Sequence, residues 1–268
     1  MRLKTKNRSK KRNKKGIYIL PNLFTSCSLF GGFYAIIAAI QGRYEAAAIA
    51  ILISAIFDGL DGKIARFTHT TSQFGTEYDS LSDLVAFGVA PGLLAFEWSL
   101  KSFGRFGWLA VFLYVICGAL RLARFNIQKN NLESDHFKGL PIPGAAILIA
   151  TFVLFINSLD GFTENKHIVI ISTIYSLSFL MVSTIDYLSF KELELFKKKP
   201  FNVLVATILL FIVVAYKPAF MLFLFSAMYV ISGPCIALYH LTHRSTKRAH
   251  SVIDPSLEKS EKRIKNEL

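Results

Sequence analysis

The sequence predicts an all-α polytopic membrane protein of about eight transmembrane helices, and three observations carry that expectation. Of its 268 residues, 53% are apolar and only 18% are charged, below the roughly one quarter usual in soluble domains. The apolar residues fall in long blocks free of charge, as a helix crossing the hydrocarbon needs over about 20 residues. The 31 Lys and Arg against 18 Asp and Glu leave a net charge of +13, and the basic residues gather between and outside those blocks. Such a composition excludes a disordered chain and an ordinary soluble enzyme. Cys27, Cys117 and Cys235 are odd in number, and each sits in an apolar block. They read as buried small residues, not as a disulfide framework.

The segment Met1–Lys15 holds nine basic residues and no acid, which places the N-terminus in the cytoplasm. The first span, Leu23–Ile40, is followed by further long blocks and so reads as a retained anchor, not a cleaved export signal. The second and third spans are chemically odd. Their uncharged cores, Ala46–Phe57 and Leu84–Phe96, are too short to cross alone. They reach spanning length only as Tyr44–Arg66 and Asp79–Trp98, with acids inside the helices. The remaining spans are Phe106–Leu120, Leu140–Leu159, Ile168–Ile185, Phe201–Tyr216 and Pro218–Tyr239. Pro91 and Pro234 fall within spans and are expected to kink them, while Trp98 and Trp108 suit an interfacial belt near the outer face.

Eight spans put both termini in the cytoplasm, and all but five of the 31 basic residues then lie on that side. The exceptions are Arg43, Lys101, Arg105, Lys166 and Lys217. Three regions follow: a basic segment 1–20, a transmembrane domain 21–240 and a basic tail 241–268, with both tails disordered. Nucleic acid is not the partner implied by the positive charge, because no aromatic residue interleaves with the basic ones in Met1–Lys15. Anionic membrane lipids account for it.

The informative stretch is Asp58-Gly-Leu-Asp61-Gly62-Lys-Ile-Ala65-Arg66, followed by Gly75, Asp79 and Asp83. A charge at the bilayer centre costs roughly 2.5–3.5 kcal/mol on insertion scales, so four acids need compensation. Asp58 and Asp61 are three apart on the second span, and Asp79 and Asp83 four apart on the third, so each pair shares a helix face. The short connection holds the two helices side by side, and the four carboxylates can converge near the cytoplasmic surface. Between Phe57 and Asp83 there are five acids, Glu77 included, against only Lys63 and Arg66. Mg²⁺ or Mn²⁺ is the natural counter-charge for such oxygen ligands, and two ions can be held. Gly62, Ala65 and Gly75 leave room for a bulky ligand or a neighbouring backbone. On these residues alone, a metal-dependent enzyme of phosphoryl transfer and an ion-coupled transporter both fit.

The spacing Asp58-x2-Asp61-Gly62-x2-Ala65-Arg66-x8-Gly75-x3-Asp79-x3-Asp83 resembles the signature of the CDP-alcohol phosphatidyltransferases at every fixed position. Pro21 to about Pro143 further resembles the phosphatidylserine synthase branch, through Phe74–Leu81, Gly118–Asn126 and Gly139–Pro143. The resemblance implies a six-helix core plus two added helices, a homodimer, and a bacterial cytoplasmic membrane location with the active site facing the cytoplasm. It implies transfer of the phosphatidyl group of CDP-diacylglycerol to L-serine, giving phosphatidylserine and CMP. Glycerol 3-phosphate or inositol is the alternative acceptor. Carried over by position, Asp58, Asp61 and Asp79 are metal ligands, and Asp83 is the catalytic base and a further metal contact. Gly62, Ala65, Arg66 and Gly75 would lie along CDP-diacylglycerol. Arg121 or Arg124, assisted by Asn126, would hold the serine carboxylate, since a zwitterionic substrate needs a cation. Spans five to eight carry almost no buried charge, which favours the enzyme over a transporter.

Overall fold

The computed structural model describes residues 19–68, 72–130, 137–159, 166–187, 208–209 and 214–253. These form α1 (Ile19–Ile40), α2 (Tyr44–Phe67), α3 (Gln73–Asp83), α4 (Ala90–Trp98), α5 (Arg105–Asn130), α6 (Ile142–Asn157), α7 (Lys166–Val182) and α8 (Pro218–Ile253). Two residues each from β1 (Phe137–Lys138) and β2 (Asp186–Tyr187) pair antiparallel between α5–α6 and α7–α8. The all-α expectation holds. Four helical segments are long and apolar enough to cross a membrane: Leu20–Ile40, Gln73–Trp98, Arg105–Gln128 and Pro218–Leu238. Helices α6 and α7 are shorter apolar helices, and α2 has the length but carries charge. The expected seventh span lies mostly outside the described residues.

The helices run alternately up and down. At one end Tyr44 Oη donates to the Glu97 carbonyl (3.1 Å), Trp98 Nε1 to Asn157 Oδ1 (3.2 Å), and Ser99 Oγ meets His167 Nδ1 (2.7 Å). At the other end Thr25 reaches Asp61, Asn126 reaches Ser80, and Arg124 reaches the Val182 carbonyl. Polar contacts thus gather in two layers, with an apolar core rich in alanine between them. Small side chains are what let membrane helices approach closely. A Cβ at Gly32 of α1 would stand 2.5 Å from the Ala86 Cα, so only glycine fits that crossing. The α1–α2 turn is equally dictated by sequence. Gly42 has φ +74°, and the N–H groups of Gly42 and Arg43 reach back to the carbonyls of Ala39 and Ala38, the pattern of a Schellman cap.

Four expectations need correction. The third span begins at Gln73, capped by Ser72 Oγ on the Gly75 N–H (3.0 Å), so Asp79 and Asp83 lie inside a helix and not at its start. Trp98 is buried against Phe152 and bonded to Asn157, while Trp108 is exposed, so only the latter can meet an interface. Cys117 is buried, Cys27 half-buried and Cys235 exposed, because an apolar span carries a lipid-facing side that sequence does not mark. The tail is helical as far as Ile253, thirteen residues into the segment read as disordered.

Pro91 acts through a π-helical segment, Leu84–Val89, directly after Asp83. A proline has no N–H for the carbonyl four residues earlier, here that of Phe87. The fully buried Tyr114 of α5 supplies the missing donor, Oη to O at 3.0 Å. Tyr114→Phe would leave that carbonyl unsatisfied in the core, at a cost of about 1–3 kcal/mol. The expected result is a lower thermal midpoint in detergent with no change in substrate affinity.

Candidate active site

The two acid pairs meet at the end where α2 finishes and α3 begins. Carboxylate oxygens of Asp58, Asp61 and Asp79 all lie within 4.8 Å of one another. Asp83 sits against Asp58, close enough for a hydrogen bond between the two carboxyl groups. Asp83 Oδ1 is shielded from solvent and has no hydrogen-bond partner among the described residues. Asp61 is only 5% exposed. Four mutually repelling carboxylates in a protein interior are tolerable when a counter-charge is shared. Hard oxygen donors converging from two helices, one of them unsatisfied, fit a divalent cation of the Mg²⁺ or Mn²⁺ kind.

A residue that sequence reading missed fixes one of these carboxylates. Thr25 Oγ1 of α1 donates to Asp61 Oδ2 at 2.6 Å, and the Thr25 carbonyl accepts from Ser82 Oγ at 3.2 Å. Helix α1 therefore ties α2 to α3 at the acids. The available signal was the hydroxyl cluster Thr25, Ser26 and Ser28 at the start of an otherwise apolar span. Thr25→Val keeps the backbone acceptor and removes the donor. Outer-shell partners of metal ligands are worth about 10–100-fold in metal affinity, so the Mn²⁺ concentration for half-maximal turnover should rise by that factor. A change in thermal midpoint alone would reduce Thr25 to packing.

The nucleotide-side candidates split. Gly62 has nothing within 4 Å of where a Cβ would stand, and it faces open space, not a neighbouring backbone. Gly75 lies against Asn22 of α1, so its small size also serves helix packing. Arg66 is exposed on the last turn of α2, where its Nε donates to the Gly62 carbonyl (3.0 Å), and Ala65 is half-buried beside it.

The two arginines of α5 separate cleanly. Arg124 Nη1 donates to the Val182 carbonyl at the end of α7 (3.0 Å), an anchoring contact. Arg121 is 8% exposed, lies within Coulombic range of Asp83 and of Tyr229 on α8, and its Nε has no partner among the described residues. Asn126 is engaged by Ser80 Oγ (3.0 Å) and by Glu77 (3.4 Å), so it holds α5 to α3.

A site of clustered carboxylates with a buried guanidinium beside them invites comparison with known proteins. The sequence model of the CDP-alcohol phosphatidyltransferases matches residues 18–182, more than half of the chain. The chain belongs to that family. A CDP-diacylglycerol–serine O-phosphatidyltransferase of Helicobacter pylori is 42% identical over 217 residues, covering 81% of this chain and 90% of that one. Its counterpart in Bacillus subtilis is 35% identical over 173 residues, 65% of this chain and 92% of that one. An archaetidylserine synthase of Methanothermobacter thermautotrophicus is 38% identical over 170 residues, 63% and 69% of the two chains. All the helices that carry the acids and the two arginines fall inside the matched CDP-alcohol phosphatidyltransferase segment.

Proposed function

We propose that this CDP-alcohol phosphatidyltransferase moves the phosphatidyl group of CDP-diacylglycerol to the hydroxyl of L-serine, giving phosphatidylserine and CMP. The observation that carries the reading is the convergence of three carboxylates within 4.8 Å at the end of two membrane helices. Relatives named for serine transfer, with either a phosphatidyl or an archaetidyl lipid, support the acceptor.

Asp58, Asp61 and Asp79 would hold Mg²⁺ or Mn²⁺, with Asp83 as a further contact and room for two ions. When bound, the cations supply Lewis-acid neutralisation of the diphosphate and of the departing CMP. The chain's own residues do the rest. Gly62, Ala65, Arg66 and Gly75 line the approach of the cytidine diphosphate, where Gly62 leaves open space. Asp83 takes the serine hydroxyl proton as the serine oxygen bonds to phosphorus and the phosphoanhydride bond to CMP breaks. Arg121 offers its unpartnered donor to the serine carboxylate. CDP-diacylglycerol keeps its acyl chains in lipid and its nucleotide in water, and a site at helix ends reaches both. In this reading the site and both termini face the cytoplasm of a bacterial cell, the chain lies in its cytoplasmic membrane, and the family resemblance adds a homodimer.

Membranes supplied with CDP-diacylglycerol, Mn²⁺ or Mg²⁺ and a panel of alcohols should release CMP with serine alone. Release with glycerol 3-phosphate or inositol instead would reassign the acceptor, and no release with any alcohol would overturn the reading.

A further inference from the structure

Helix α8 contains Pro234, and a proline inside a helix leaves the carbonyl four residues earlier, here that of Val230, without its N–H donor. Tyr187 of β2 supplies one, its Oη donating to the Val230 carbonyl at 3.2 Å. The device repeats the pairing of Tyr114 with the carbonyl freed by Pro91. Tyr187 is buried, and a Cβ at Gly233 would collide with its ring, so glycine makes the seat for it in α8. The segment around β2 is itself fastened to the bundle. Gly139, at φ +85°, donates its N–H to the Ile185 carbonyl (2.8 Å), and the Leu140 N–H reaches the Leu180 carbonyl (3.0 Å). One turn earlier on α8, Ser226 Oγ meets Thr151 Oγ1 of α6 at 2.9 Å.

These contacts fix the turn of α8 that carries Tyr229. The centre of its ring lies 5.9 Å from that of Tyr187. The ring also rests on α6 at Gly144, where a Cβ would stand 3.1 Å from Tyr229 Cε1. The phenol is within Coulombic range of the Arg121 guanidinium, and so is Asp83. Arg121 of α5 is thus accompanied by a carboxylate from α3 and a phenol from α8. A guanidinium on a long side chain presents its fork to a carboxylate only when its own position is defined by neighbours. Tyr187 and Tyr229 both fall beyond residues 18–182, the segment matched by the family model.

We propose that Tyr229 is a positioning residue of the acceptor pocket: it holds the Arg121 guanidinium in line for the serine carboxylate, and the pin between Tyr187 and the Pro234 turn of α8 holds Tyr229 in place. The inference rests on the serine-transfer reading above, and adds to it a side chain from the last described helix.

The test uses the full chain in lipid nanodiscs and follows CMP release. Tyr229→Phe removes one oxygen and keeps the ring on Gly144. It should raise the KM for serine about fivefold, while kcat and the KM for CDP-diacylglycerol stay within about twofold of wild type, a split that lost packing would not produce. In an Arg121→Ala background the same change should have no further effect, because the group it positions is gone. Tyr187→Phe should also raise the serine KM by loosening the pin, whereas Tyr114→Phe, which loses the same kind of bond at Pro91, should not. An unchanged serine KM in Tyr229→Phe overturns the proposal. So does a rise that is equal with and without Arg121, or one matched by the KM for CDP-diacylglycerol. If Tyr229→Phe does not fold, Tyr187→Phe and Tyr114→Phe decide, and equal serine KM values in those two overturn the proposal. A wild type that releases no CMP with serine strikes the serine-transfer reading and the proposal together. One that is active with serine but indifferent to Tyr229 strikes the proposal alone.

Discussion

Turnover is expected to fall by about three orders of magnitude in Asp61→Asn, the size of losing several kcal/mol of charge stabilisation at the reacting phosphate. Asparagine keeps the shape of the side chain and still accepts from Thr25, whose hydroxyl lies 2.6 Å from Asp61 Oδ2. What it removes is one of three negative charges gathered within 4.8 Å. The loss should therefore come with an altered dependence on divalent cation and little change in thermal midpoint. Glu77→Gln is the matched control. Glu77 belongs to the same acidic stretch but is exposed and bonds Asn126 at 3.4 Å, so its replacement should leave turnover within about twofold, as surface substitutions do. Exhaustive chelation of the wild type should reproduce the Asp61→Asn loss. An Asp61→Asn enzyme with a tenth or more of normal turnover would contradict the cage.

The second large effect separates two arginines that are neighbours on one helix. Arg121→Ala should raise the KM for serine by about 10–100-fold, the worth of a charge-assisted hydrogen bond of about 1.5–3 kcal/mol. Arg124→Ala should leave that KM alone and lower the thermal midpoint, because its donor is already committed to the Val182 carbonyl at 3.0 Å. Arg121→Lys keeps the charge and loses the planar fork, so its KM should lie between those of Ala and wild type. An equal rise in both alanine variants, or none in either, would remove Arg121 from the acceptor site. Asp83 has its own test. Asp83→Asn that turns over normally while binding cation and nucleotide would show that another group takes the serine proton.

How far the sequence reached is clearest at the acids. Spacings of three and four along helices put each pair on one face whatever surrounds them, and the short α2–α3 connection brings the faces together. The hydropathy blocks marked the spans for the same local reason. Where the reading fell short, the deciding contact came from a distant segment. A hydroxyl such as Thr25 in an apolar span usually bonds its own preceding turn, and here the Pro21 carbonyl is indeed 3.2 Å away. Its reach to Asp61 depends on how closely α1 packs on α2, which Gly32 helps to permit. Trp98 and Trp108 look alike in sequence, yet the end of α6 covers only the first. The proline at position 91 announced a break, but not that Tyr114 of another helix would close it.

The sequence by itself determined an all-helical membrane chain, the helix faces that carry the acids, and the charge asymmetry of its ends. Those properties depend on hydropathy and on the 3.6-residue repeat, both local. Only the tertiary structure decided which hydroxyl orients Asp61, which arginine has a donor without a partner among the described residues near Asp83, and where an apolar groove runs between the first two helices. Each of these is a relation between helices far apart in the chain, fixed by how closely their small residues let them pack.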